Sequence, residues 1–110
     1  MDIGTTRTDD GLVVVSPVGR LTMVSAPQLR AVVTACVTTG DARVVVDMSA
    51  VEFIDSSGLG ALVAGLKAAR QGGGDLRIAR LAPQVLTVLQ LTNLDRVMRP
   101  YASVEEAFGG

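Results

Sequence analysis

The chain has 110 residues, with ten basic and eleven acidic side chains and no histidine, for a net charge of −1. That length suits one domain and is too short for two, and a near-neutral balance without charge runs argues against nucleic acid, whose binders carry a basic surplus or stripe. Apolar residues make up 48% but aromatic ones only 3%, so the interior must be built from Val, Leu, Ile and Ala rather than from large rings.

The first ten residues, MDIGTTRTDD, have neither the basic start nor the apolar run of a signal peptide. No apolar window reaches the ~18 to 20 residues that span a bilayer. A cytoplasmic location without membrane insertion is therefore expected. Next, GLVVVSPVGRL (11–21) is β-branched and holds Pro17 and Gly19, which suits an edge strand that bends and runs on through Leu21. In SAPQLRAVVTACVTTG, Ser25 can cap a helix and Pro27 fits its first turn. Leu29, Val32, Val33, Cys36 and Val37 then fall at the spacing of an amphipathic helix that stops at Gly40. Cys36 is the lone cysteine; on that apolar stripe it reads as a buried structural thiol.

ARVVVDM (42–48) is a continuous β-branched run, the pattern of a strand covered on both faces, and is expected at the centre of the sheet. SSGLGALVAGLKAARQ predicts a second helix with Leu59, Leu62, Val63, Leu66 and Ala69 inward, closed by the turn Gly72–Gly74. Its small residues Gly60, Ala61, Ala64 and Gly65 would let another surface approach closely. DLRIARL supplies another strand, and PQVLTVLQLT a third helix with Val85, Leu86 and Leu89 inward. Asn93 follows where a left-handed residue is useful. DRVMRPY reads as a short strand, and SVEEAF opens a last helix with Ser103 and Glu106 spaced as a capping box. Strands and helices alternate from about residue 11, the order of an α/β domain with a mixed, mostly parallel sheet.

Without histidine and with one cysteine, most hydrolytic, metal and thiol chemistries lack their parts. Asp55 adjoins Ser56, but a carboxylate of ordinary pKa is a poor base for an alcohol. Neither an enzyme nor a cofactor or metal site is expected. Gly58-Leu59-Gly60 resembles a phosphate loop only weakly, because the third glycine of a dinucleotide fingerprint is replaced by Val63 and the Gly-Lys-Ser/Thr of a P-loop is absent. The adjacent hydroxyls of Ser56 and Ser57 stand where a strand turns into a helix. On residues alone, one can serve as a cap and the other can point outward; a switch is the alternative use, since a helix start tolerates the charge of a phosphate.

The run VDMSAVEFIDSSGLGALVAGLKAARQGGGDLRI resembles the signature of the STAS family: an apolar strand, Asp-Ser-Ser/Thr-Gly-Leu-Gly, a helix and a Gly-Gly turn. VSAPQLR and LQLTNL add weaker support. The whole chain looks like an anti-sigma factor antagonist, the single-domain bacterial branch of that family. The resemblance implies one STAS domain over residues 1–110, its core at about 10–108. It also implies an α/β fold with a mixed sheet of about five strands and four to five helices packed mainly on one side. By the same resemblance Ser56 is the phosphorylation site, with Ser57 its neighbour and cap. The partner is an anti-sigma factor that is itself a serine kinase: the unphosphorylated antagonist binds it and frees a sigma factor, the phosphorylated form lets go, and a separate phosphoserine phosphatase restores it. The partner face is expected on Arg20, Thr22, Asp55, Ser57, Gly58, Leu59 and Gly60.

One departure stands out. Relatives commonly carry Gly-Glu-Leu-Asp early in the chain, where this one reads Gly19-Arg20-Leu21-Thr22, so Arg20 reverses a charge and Thr22 removes one. Two rival readings remain open. In one the domain is a scaffold or transporter-associated subunit with a constitutive protein partner, and the serine is only a cap; in the other it is a nucleotide-binding module using Gly58 to Gly60.

Overall fold

Val44, Val45 and Val46 are all fully buried, as a β-branched run between two neighbours should be. In the computed structural model, which describes residues 1–109, they lie on β3 (Arg43–Asp47), with β2 (Val13–Leu21) and β5 (Asp75–Ala79) parallel to it on either side. Val44 is opposite Val13 and Leu76; Val46 is opposite Val15 and Ile78. Successive side chains alternate across a sheet, and the three valines divide accordingly. Val44 and Val46 face a large core with α1 (Ala26–Thr38), α2 (Ser56–Gln71) and α3 (Pro83–Leu91), while Val45 joins Ala79 and Ala107 beneath α4 (Val104–Gly109). Three helices therefore cover one face and the short α4 covers the other, as expected.

The sheet has six strands. β1 (Asp2–Arg7) pairs antiparallel with β2, β6 (Pro100–Tyr101) lies beyond β5, and β4 (Val51–Ile54) pairs with the far half of β2. This places β2 inside the sheet, whereas its proline pointed to an edge. β1 escaped notice because DIGTTR has little apolar alternation and is almost wholly exposed; it is held by its ladder to Val13–Val18. Pro17 is tolerated because β3 accompanies β2 only to Val15 and β4 resumes at Gly19. In that gap no parallel neighbour asks for the missing N–H. The register then shifts between Gly19 and Arg20, within the stretch of β2 already paired with β4.

The helical stripes pack as expected, with Leu29, Val33 and Cys36 of α1, Leu59, Leu62, Leu66 and Ala69 of α2, and Val85 and Leu89 of α3 in one cluster. Val32, Val37 and Val63 are half-buried at its margin, whereas Leu86, expected inward, is half-buried off this core in a depression with Leu81, Pro100 and Tyr101. Burial and the nearby Asp41 push the Cys36 thiol up from its ordinary range, which keeps it protonated and unreactive near neutral pH. Of the small residues of α2, Ala61 and Gly65 are approached from within. A methyl on Gly65 would lie 2.9 Å from Leu76 and 3.2 Å from Val33, so the surface that comes close there is α1 and the sheet.

Two expected features differ. DRVMRPY is a 3-10 turn at Leu94–Arg96 followed by a two-residue strand, because Val97 and Met98 both donate back to the Leu94 carbonyl. Asn93 before it is left-handed, with φ 59°. Ser25 occupies the position before α1 but its hydroxyl does not cap the helix. Its backbone is helical rather than extended, and capping needs the extended form. The hydroxyl instead accepts from Thr22 N–H at 3.0 Å and donates to the Arg20 carbonyl at 2.7 Å. At the other end of the chain Ser103 does accept from Glu106 N–H, at 3.1 Å.

Candidate functional site

α2 begins immediately after β4, and the residue that starts it is Asp55. Its backbone is extended, and its Oδ1 accepts from the Gly58 amide at 2.9 Å. This corrects the expectation that a serine is the cap: an aspartate one position earlier already satisfies the amide, which frees both hydroxyls. Ser56, at the first helical position, is exposed, and Ser57 is half-buried. The second carboxylate oxygen of Asp55 accepts from the Met23 amide at 3.1 Å, across 32 residues of chain. One side chain therefore starts a helix and holds the loop between β2 and α1 against it.

That loop is Thr22–Ser25. The Thr22 hydroxyl accepts from Val24 N–H at 3.3 Å, the Thr22 carbonyl accepts from Ser25 and Ala26, and Ser25 is fastened as described. With its polar groups tied inward, the loop turns two apolar side chains outward: Met23 is 72% exposed and Val24 88%. Between this loop, the start of α1 and the start of α2 lies an open depression of about 330 Å³ lined by Met23, Ala26, Pro27, Arg30, Ser57 and Gly60. A second depression of about 420 Å³ on the other side of the loop includes Arg20, Thr22, Val24 and Glu52.

The residues expected at a partner face therefore separate into three groups. Thr22 belongs to the loop, Asp55 bonds to it, and Ser57 and Gly60 line the depression that Met23 shares. Gly58 and Leu59 face inward, beneath that surface. A methyl on Gly58 would lie 2.4 Å from the Leu21 carbonyl, and Leu59 is a core residue. Arg20 is on β2, where the strand was expected to run on, with its guanidinium 4.3 Å from the centre of the Phe53 ring, close enough for a cation–π contact. Met23, Val24 and Arg30 went unnoticed in the sequence. The available signal was the Met23-Val24 pair, two large apolar residues between Thr22 and Ser25 that stand off the α1 stripe.

Among the described residues no group of His, Cys, Asp or Glu is placed to hold a metal, and no helix is long and apolar enough to cross a membrane. The model of the STAS domain family matches residues 5–107. The chain belongs to the STAS family. An anti-sigma factor antagonist of Bordetella bronchiseptica, BtrV, is 32% identical over 98 residues, covering 89% of this chain and 84% of its own. The anti-sigma-B factor antagonist of Staphylococcus aureus is 30% identical over 93 residues, covering 84% and 86%. The crystal structure of an anti-sigma factor antagonist from Thermotoga maritima superposes with a TM-score of 0.88 at 30% identity, covering 96% of this chain and 90% of that one. As a STAS domain of this kind the chain is a non-enzymatic regulatory protein.

Proposed function

We propose that this STAS domain is a cytoplasmic anti-sigma factor antagonist controlled by phosphorylation of Ser56. Unphosphorylated, it binds an anti-sigma factor that is a serine kinase and so frees a sigma factor; phosphorylated, it releases the kinase; a phosphoserine phosphatase resets it. The observation that carries this reading is the juxtaposition at the start of α2. An exposed serine, not needed as a cap, directly follows Asp55, whose carboxylate also accepts from the backbone of the loop that exposes Met23 and Val24.

Exposed apolar residues next to one another on a small domain mark a contact surface. A kinase face resting on Met23 and Val24 would desolvate Ser56. A phosphate there adds about 1.5 to 2 negative charges beside the Asp55 carboxylate, and burying that charge without a partner is costly. The fold tolerates it, because the first turn of a helix favours an anion. Ser57 is less suited: it is half-buried and faces the depression beneath the loop.

The test is incubation with the cognate kinase and ATP followed by mass spectrometry. Phosphate is expected on Ser56, none on Ser56→Ala, and Ser56→Asp should bind the kinase poorly with an unchanged circular dichroism spectrum. Phosphate on Ser57 alone would overturn the assignment. Tight binding by fully phosphorylated protein would overturn the switch and favour a constitutive scaffold.

A further inference from the structure

A second site stands at the far end of the molecule. Ser56 and Arg70 lie on the first and last turns of α2, about 20 Å apart at 1.5 Å per residue. Beyond Arg70, where β5 begins and β6 forms the edge of the sheet, a pocket of about 170 Å³ is lined by Arg70, Arg77, Arg96, Arg99, Asp75 and Tyr101, among others. Four of the ten basic residues of a chain whose net charge is −1 converge there around a single carboxylate.

Their pairing is unequal. Asp75 receives both Arg70, at 3.2 Å, and Arg77, at 3.3 Å. Arg77 is further held by the Ala107 carbonyl and by the Phe108 ring, 4.2 Å away. Arg96, on the 3-10 turn, and Arg99, just before β6, make no ion pair among the described residues. Asp95, next to Arg96, does not line the pocket. Arg99 is 6.0 Å and Arg77 5.9 Å from the centre of the Tyr101 ring, so one aromatic face stands near both a held and an unpaired guanidinium.

We infer that this pocket binds the phosphoryl group of a small phosphorylated ligand, with Arg96 and Arg99 as its main anion contacts. Two unpaired guanidinia match the charge of a phosphate monoester, about −1.5 to −2 at neutral pH, and the planar guanidinium fork fits phosphate oxygens two at a time. A single carboxylate would leave one of them unmatched. The volume is below the roughly 300–1,000 Å³ that encloses a drug-sized molecule, so the pocket receives the anionic head and leaves the remainder outside. The site does not depend on the phosphorylation switch and stands or falls separately from it.

Titration of the ¹⁵N-labelled protein with inorganic phosphate at constant ionic strength tests the inference. Saturable amide shifts are expected over residues 75–77, 96–99 and 101. The double variant Arg96→Gln/Arg99→Gln should weaken binding about tenfold or more, since it removes both unpaired guanidinium forks. Both side chains are exposed and unpaired, so the variant should fold, as circular dichroism will show. Lys67→Gln, on the exposed side of α2, controls for loss of positive charge and should leave binding as it is. Arg96→Lys/Arg99→Lys keeps the charge and should restore binding only in part. Shifts that follow chloride equally, that centre on residues 55–58, or that survive in the double Gln variant would overturn the site. Succinate binding as tightly as phosphate would overturn the phosphoryl assignment.

Discussion

Asp55 shows how much of a site can rest on one side chain. Both of its oxygens are committed, one to the Gly58 amide and one to the Met23 amide, so the exposed serine and the exposed apolar loop are placed relative to each other by a single carboxylate. Arg20 is the other residue whose setting changes its meaning. Standing over Phe53, it contributes about 0.5–1 kcal/mol of cation–π attraction at an exposed site, and its charge lies beside the depression that includes Val24 and Glu52. Arg20→Glu is expected to lower the unfolding free energy by no more than about that amount. It should weaken binding to the native kinase by a larger factor, and improve binding to kinases whose own antagonists carry the acid. Paired urea unfolding and affinity measurements separate the two effects; unchanged affinity for both kinds of kinase would make Arg20 part of the strand packing alone.

At the scale of an element, α2 carries its glycines for opposite reasons. Gly58 is pressed against Leu21 and Ile54, where an added methyl meets the Leu21 carbonyl at 2.4 Å, while nothing lies within 4 Å of a methyl on Gly60. Gly58→Ala should therefore destabilise by about 1–3 kcal/mol, as overpacking does, and displace the start of the helix on which Ser56 rides. Gly60→Ala should stabilise by about 0.5–1 kcal/mol, the gain from replacing glycine inside a helix. Denaturant unfolding reads both, and opposite signs are required. Gly60 also lines the depression with Ser57 and Met23, so the same substitution probes docking: a loss of kinase affinity in a more stable protein places the partner over that groove, and unchanged affinity moves it away.

For the molecule as a whole, the sheet separates a large core under α1, α2 and α3 from a small one under α4. Leu62 is 1% exposed within the large core. Leu62→Ala should cost about 2–5 kcal/mol, read as a lower urea midpoint with unchanged slope if the domain unfolds as one unit. Ser56 and the pair Arg96 and Arg99 lie at opposite ends of that unit and are exposed, so substitutions at these three positions should leave the midpoint nearly unmoved.

The helices and the central strand were legible in the sequence because their signals are local and periodic: the triple valine of β3, the stripes of α1, α2 and α3, the left-handed Asn93. The STAS resemblance likewise lay in a continuous run, from Val46 to Ile78. Other features were decided only by tertiary structure, because they join distant segments. β1 is a strand only through its ladder to β2, and β2 is internal only because β1, β3 and β4 share its two sides. The identity of the helix cap turned on backbone geometry at Asp55, and the exposure of Met23 and Val24 on a hydrogen bond spanning 32 residues. The arginine pocket is the extreme case. Arg70, Arg77, Arg96 and Arg99 are scattered over 30 positions and show no charge run, and only the parallel return of β5 and β6 to one sheet edge brings their charges together.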